Sequence, residues 1–180
     1  MPSPSKNRKN SDHRPPKEWI GQQFARLELR LHHYALRMGS RPELASDAVQ
    51  EAFVKLCQQP WPEIEEHATA WLYRTCRNRI IDDLRREGRM NAIHSGADPA
   101  DVQDRALCEP ADQVVQDEQI LLMRNSIRGL PVKQQEVLRL RLHDGLSYKQ
   151  IAEVLGLTAS NVGYMLHQAI GSLRKELAAK

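Results

Sequence analysis

With 180 residues the chain can form one or two small domains, and its 27% charged residues, 5% aromatic residues and formal net charge of +3 are typical of a helical protein. No apolar run approaches the roughly 18 residues of a membrane-spanning helix, and the amino terminus lacks the hydrophobic stretch of a signal peptide. These features exclude membrane insertion and predict a chain that stays in the cytoplasm.

Residues 1–17 form a basic segment at the amino terminus. Five Lys or Arg residues stand there against one Asp, for a net charge of +4, among several Pro, Ser and Asn residues. Such a composition buries too little apolar surface to fold, so we expect a disordered basic tail.

Residues 18–90 have the apolar periodicity of a helical domain. A first helix is expected to end near Gly39, with an apolar stripe of Phe24, Leu27, Leu31 and Tyr34. The segment ELASDAVQEAFVKLCQQP predicts a second helix that buries Ala45, Ala48, Val49, Ala52, Phe53 and Leu56. Three- and four-residue spacing places another set on a different face of this helix: Asp47, Gln50, Glu51 and Val54. An acidic face turned to solvent is common, so this spacing alone assigns no function.

The segment ATAWLYRTCRNRIIDDLRREGR predicts a third helix with a basic surface. Its apolar residues can pack inward, which leaves outward Arg74, Arg77, Asn78, Arg79, Arg85, Arg86 and Arg89. Guanidinium groups bind phosphates in bidentate fashion and stack on bases, and Asn can hydrogen-bond to a base edge. This surface therefore predicts nucleic-acid binding, although a merely solvated basic helix is the alternative.

An acidic stretch separates this domain from the rest of the chain. Residues 91–118 contain seven acidic residues and one Arg, for a net charge of −6, and Gly96, Pro99 and Pro110 interrupt any helix. We expect residues 91–117 to be a flexible acidic linker between two helical domains. A solvated segment without further function remains the alternative.

Residues 118–180 are predicted to form a second helical domain. Ile120, Leu121, Met123 and Ile127 should line its first helix, and a second helix should follow Pro131. The segment LSYKQIAEVLGLTASNVGYMLHQAIGSLRK then reads as two short helices around a turn at Gly156, capped by Ser147 and Thr158. This pattern is typical of a helix-turn-helix, with an outward face of Ser160, Asn161, Gly163, Tyr164, His167 and Gln168. A helical core without a role in DNA binding is the alternative.

The predicted DNA-reading helix has an unusual charge. No Lys or Arg occurs from Gln150 to Leu173. Since DNA affinity comes mostly from neutralised phosphates, we expect this helix to hold DNA weakly by itself. Lys149, Arg174 and Lys175, which flank it, could supply some of the phosphate contacts.

The motif blocks DAVQEAFVKL, AWLYRTCRNRIIDDLRR and LPVKQQEVLRLRLHDGLSYKQIAEVLGLTASNVGYMLHQAIGSLR, with an acidic linker between the second and third, resemble a bacterial sigma factor of the extracytoplasmic-function (ECF) group. The resemblance implies an all-α chain of two small domains, region 2 over residues 18–90 and region 4 over residues 118–180. It further implies a transcription initiation subunit that joins core RNA polymerase, recognises the −10 and −35 promoter elements and promotes DNA melting. A weak reading helix would then suffice, because the polymerase tethers it to the promoter.

The same resemblance implies roles for particular residues. Binding to the clamp helices of the β′ subunit would fall on Asp47, Gln50, Glu51 and Val54. The −10 element would be bound by Arg74, Arg77, Asn78, Arg79, Arg85 and Arg86, with the loop 58–69 holding an extruded base. The −35 element would be read by Ser160, Asn161, Gly163, Tyr164, His167 and Gln168. The linker would thread the polymerase channel, region 4 would meet the β flap, and an anti-sigma factor is a further candidate partner.

No catalytic or metal-binding pattern stands out in the sequence. The seven His residues are scattered, and Cys57, Cys76 and Cys108 follow no ligand spacing, so we expect no enzyme activity, cofactor or metal. We expect all three thiols to be reduced, with Cys57 and Cys76 in the core. The alternative functions are a free-standing helix-turn-helix transcriptional regulator, which would explain only half of the chain, and a nucleic-acid enzyme that uses the arginine helix.

Overall fold

The computed structural model describes residues 14–61, 63–86 and 118–178, and all secondary structure in these ranges is helical. Its seven helices are α1 (Lys17–Arg37), α2 (Pro42–Leu56), α3 (Ala68–Arg86), α4 (Glu118–Arg128), α5 (Val132–Leu142), α6 (Tyr148–Leu155) and α7 (Ala159–Ala178). The all-α prediction is confirmed. The acidic linker and most of the basic tail lie outside the described residues, and α1 begins at Lys17, one residue before the expected domain start.

Helices α1, α2 and α3 pack into the first helical unit. The predicted stripe of α2 is buried in full, since Ala45, Ala48, Val49, Ala52, Phe53 and Leu56 are each at most 6% exposed. In α1, Leu27, Leu31 and Tyr34 are buried, whereas Phe24 lies at the edge of the core with its ring against Phe53 at 4.9 Å between centroids. Cys76 is buried as expected, but the prediction for Cys57 was wrong, because α2 ends at Leu56 and leaves this thiol exposed.

Helices α4 to α7 form the second unit. Helix α5 buries Val137, Leu138 and Leu140, and α7 buries Val162, Leu166, Ala169 and Leu173. The expectation for Met123 was wrong: it is 47% exposed, because α4 contacts mainly α7 and turns this side chain outward. Within the described ranges, no helix is long and apolar enough to cross a membrane.

The two units pack against each other. Helix α3 of the first unit lies along α6 of the second, and the buried residues of both units belong to one contiguous apolar cluster. Polar contacts flank this interface, including His67 Nδ1 to Glu153 Oε2 at 3.5 Å. The chain therefore adopts a closed arrangement that its linear sequence does not indicate.

Candidate polymerase and promoter interfaces

The predicted polymerase-binding face of α2 is solvent-accessible. Asp47, Gln50 and Val54 are exposed on one side of the helix, opposite the stripe that it buries against α1 and α3. Val54, at 59% exposure, adds an apolar side chain to a face that is otherwise polar. Such a face can meet a partner without any change in the packing of the helix.

Glu51 differs from the rest of this set because its carboxylate is already bonded. It pairs with Lys55 at 2.7 Å, one turn along α2, and with Arg79 of α3 at 3.1 Å. The hydrogen bond from Lys55 and the charge of Arg79 lower the pKa of Glu51 although partial burial opposes the shift. Glu51 thus joins α2 to α3, and only part of its charge faces solvent.

The basic surface of α3 is smaller than its count of arginines suggests. Arg79 Nε bonds to the buried carboxylate of Asp83 at 2.9 Å, and Arg85 and Arg86 lie 3.4 and 3.9 Å from Asp82 and Asp83. Arg77 turns toward the second unit, where Nε bonds to Glu136 at 2.7 Å. Arg74 and Asn78 remain exposed and without a polar partner among the described residues, whereas Arg89 lies outside them.

The connection between α2 and α3 covers most of the predicted base-holding loop, 58–69. Helix α3 begins at Ala68, so the last two residues of that range are helical. Ile64 is buried and Trp61 packs edge-on against Trp19 at 4.8 Å between ring centroids, which anchors the described part of the loop to the first unit.

The helix-turn-helix has the predicted caps. Ser147 Oγ accepts a hydrogen bond from Gln150 N while the Gln150 side chain accepts one from Ser147 N, a complete capping box for α6. Gly156 ends α6 at φ 66°, a left-handed conformation that favours glycine. Thr158 Oγ1 then accepts a hydrogen bond from Asn161 N and caps α7. Local sequence thus determines both ends of the turn.

The predicted reading face of α7 points to solvent, as expected for five of its six residues. Ser160, Asn161, Tyr164, His167 and Gln168 are exposed. Two of these side chains are linked, because the Gln168 amide donates to Tyr164 Oη at 2.6 Å and accepts from the amide of Gln134 at 3.2 Å. These hydrogen bonds orient both side chains on the face that is predicted to meet DNA.

Gly163 has a different position from the other five residues. A Cβ atom at this residue would lie 3.6 Å from the ring of Tyr148, an ordinary van der Waals distance, so the first residue of α6 packs closely beside α7 here. The guanidinium of Arg141 lies over the Tyr148 ring, 5.5 Å from its centroid, while its Nη1 donates to Leu146 O at 3.0 Å.

Arg141 is the residue at this site that sequence reasoning missed. It lies in α5, outside the helix-turn-helix, yet Tyr148 connects it to Gly163 on the edge of the reading helix. The structure thereby brings a fixed positive charge beside a helix that has none of its own over most of its length. The only sequence signal was the basic pair Arg139 and Arg141, which resembles many solvated helix ends.

The described ranges contain no group of three or more His, Cys, Asp or Glu side chains arranged to hold a metal ion. Burial raises the pKa of the Cys76 thiol to about 12, so this thiol stays protonated and packs as a small apolar side chain.

Two family models match the chain: Sigma-70 region 2 over residues 24–90, and Sigma-70, region 4 over residues 120–173. The ECF RNA polymerase sigma factor SigL of Mycobacterium tuberculosis is 30% identical over 149 residues, which cover 82% of this chain and 82% of SigL. The ECF RNA polymerase sigma factor SigW of Bacillus subtilis is 27% identical over 155 residues, covering 82% of this chain and 83% of SigW.

Two solved structures have a similar fold. RpoE of Bartonella quintana, in a complex with the anti-sigma factor NepR, superposes with a TM-score of 0.57 at 21% identity, covering 89% of this chain and 98% of RpoE. CnrH, in a complex with the cytosolic domain of CnrY, gives a TM-score of 0.53 at 22% identity, covering 92% of this chain and 91% of CnrH. At these identities the similarity concerns the fold alone.

Proposed function

The chain belongs to the ECF group of RNA polymerase sigma factors, which direct the polymerase to specific promoters, and on this basis we propose a role for each exposed surface. Residues 18–90 bind core polymerase through α2 and the −10 element through α3. Residues 118–180 bind the −35 element through α7 and meet the β flap, with residues 91–117 as the linker. The observation that carries the assignment of the first unit is that Asp47, Gln50 and Val54 of α2 and Asn78 of α3 are all exposed in one helical unit.

The proposed division of labour leaves the chemistry of RNA synthesis to the polymerase. The sigma factor contributes binding energy, which offsets the few kcal/mol needed to extrude each base during melting. Core polymerase and promoter DNA are cytoplasmic, so the chain is proposed to work there. RpoE is described in a complex with an anti-sigma factor, which makes such a protein a candidate partner for this chain also.

Run-off transcription with purified core polymerase tests the proposed function. We expect specific transcripts only when the chain is added, and weak binding of the isolated chain to duplex promoter DNA. A free-standing regulator would instead bind a palindromic duplex tightly without polymerase and would add no transcripts. That result would favour the alternative function.

Asn78→Ala should impair promoter opening more than assembly with polymerase. A lost base contact affects only the melted state and is worth about 1–3 kcal/mol, so we expect open complexes to fall about tenfold. Permanganate reactivity of the −10 bubble measures the effect, and co-elution with polymerase measures assembly. Asn125→Ala, an exposed Asn in α4, is the matched control. Wild-type reactivity of the Asn78 variant would remove this residue from the −10 site.

Arg141→Ala should weaken holoenzyme binding at the −35 element. We propose that the guanidinium held over Tyr148 contacts a DNA phosphate beside the proposed reading helix, because the Tyr148 ring contacts both Arg141 and Gly163 of α7. Loss of one phosphate contact should reduce the slope of log affinity against log salt by about one. Arg141→Lys keeps the charge and should keep the slope. An unchanged slope in the Ala variant would exclude the contact.

A further inference from the structure

Asp144 of the second unit is seated in a polar socket on the first unit. Its side chain is 2% exposed and accepts hydrogen bonds from Arg37 Nη2 at 3.1 Å to each oxygen and from Tyr73 Oη at 3.0 Å. Arg30 donates to the backbone carbonyl of the same residue. Gly145, at φ 63°, turns the chain directly after Asp144 so that both acceptors face α1 and α3.

Glu136 makes a second contact of the same kind from within α5, the helix that ends just before Asp144. Its carboxylate accepts from Arg77 Nε at 2.7 Å, from Arg77 Nη2 at 3.2 Å and from Tyr34 Oη at 3.1 Å. The rings of Tyr34 and Tyr73 meet edge to face at 5.2 Å between centroids, so the contacts of Glu136 and those of Asp144 form one continuous cluster. We call Glu136 and Asp144, together with these donors on α1 and α3, the interdomain clasp.

The electrostatics of the clasp favour neutral phenols and a charged Arg77. Burial and the facing carboxylates raise the pKa of Tyr34 and of Tyr73, so both hydroxyls remain hydrogen-bond donors. Burial opposes the charge on Arg77, but the hydrogen bond and the charge of Glu136 overcome it and raise the pKa of this guanidinium. In the closed arrangement, Arg37 and Arg77 of the first unit therefore each face a carboxylate of the second unit.

The clasp is built from groups that water can also satisfy. A buried ion pair is weak evidence for stability, since separation returns each charge to solvent. Within the described residues, Nε of Arg37 is buried without a hydrogen-bond partner, which further weakens the closed state. Opening must also separate the apolar contact between α3 and α6, so the clasp and this apolar surface together set the free energy of the closed form.

We propose that the clasp holds the free sigma factor in a closed form that binds DNA poorly. In this form Arg77 is bonded to Glu136 until polymerase separates the two domains. This inference rests on the proposed function, which assigns Arg77 to the −10 element. A carboxylate and a DNA phosphate compete for the same fork of N–H donors on Arg77, so only one can be bound at a time. Opening then exposes Arg77 together with Tyr34 and Tyr73, which are buried in the closed form.

The test compares the wild-type chain with Glu136→Gln and with the double variant that adds Asp144→Asn. These isosteric changes keep the shape of the clasp but remove its charges. X-ray scattering should show a larger radius of gyration for the double variant. A 12-nucleotide oligothymidine strand should bind it about tenfold more tightly, the gain expected if about one wild-type chain in ten is open. Glu28→Gln, an exposed change on α1, should alter neither quantity.

Arg77→Gln, added to the double variant, identifies the group that is released. We expect it to abolish the gain in oligothymidine affinity while leaving the radius of gyration large. An unchanged radius in the double variant would overturn the clasp, and a larger radius without tighter binding would overturn the masking of Arg77. If Asp144→Asn prevents folding, Glu136→Gln alone decides the same question. The scattering result does not depend on transcription. Failure of the proposed function in the run-off assay can therefore be distinguished from failure of the clasp.

Discussion

Asp47→Lys is expected to weaken binding to core polymerase by at least about tenfold while leaving the fold intact. The side chain is exposed on α2, opposite the buried stripe, so the substitution disturbs no packing. If this face docks on a basic surface of the polymerase, the variant places two positive charges together, and such a like-charge contact costs several kcal/mol. A tenfold loss of affinity needs only about 1.4 kcal/mol.

Titration of labelled polymerase with the variant measures this effect, and thermal unfolding checks the fold. Glu28→Lys makes the same charge change at an exposed position of α1 and should bind like the wild type. Equal affinity of the Asp47 and Glu28 variants would show that the polymerase-binding face lies elsewhere. Glu51 is a poorer site for this test, because its reversal would also break the contacts with Lys55 and Arg79.

Leu31→Ala is expected to cause the largest loss of stability among the changes considered for this chain. Leu31 is fully buried in α1, and truncation of a buried Leu costs about 2–5 kcal/mol in lost apolar contact and residual cavity. This is a large share of the 5–15 kcal/mol that typically stabilises a folded protein. For a chain of this size, the midpoint of thermal unfolding should fall by roughly 5–15 °C.

Leu29→Ala provides the matched control for this prediction. Leu29 lies two residues away in the same helix and undergoes the same substitution, but it is 66% exposed. Its replacement should shift the midpoint by no more than about 2 °C, since surface substitutions usually remain within about 0.5 kcal/mol. Equal shifts for the two variants would contradict the assignment of the buried stripe in α1.

The proposed reading helix α7 has no Lys or Arg before Arg174, so it is expected to hold DNA weakly by itself. Its polar groups, with Tyr164 and Gln168 already hydrogen-bonded to each other, are suited to reading base edges. The phosphate contribution would come from Arg174 and Lys175 near the carboxyl end of α7, from Arg141, and from the polymerase that holds both domains on one promoter. Weak binding by region 4 alone is compatible with specific initiation, because tethering makes the second contact intramolecular.

The sequence by itself determined the features that depend on neighbouring residues. Three- and four-residue periodicity placed the buried stripe of α2, and the capping residues Ser147 and Thr158 marked the helix-turn-helix. The motif order also indicated the family, since the region 2 and region 4 models match in that order. These signals are readable because helix formation, capping and burial of one face are set within a few turns of chain.

The tertiary structure alone decided which charged groups are available to a partner. Arg77 appeared as one outward arginine among several, but it bonds to Glu136, 59 residues away, while Tyr73 bonds to Asp144, 71 residues away. Arg141 likewise joins the reading helix only through the ring of Tyr148 against Gly163. A count of charges treats every arginine alike. The availability of an arginine to a partner depends on which carboxylate or ring the fold brings within about 3–6 Å of its guanidinium. Helical periodicity carries no information on such pairings.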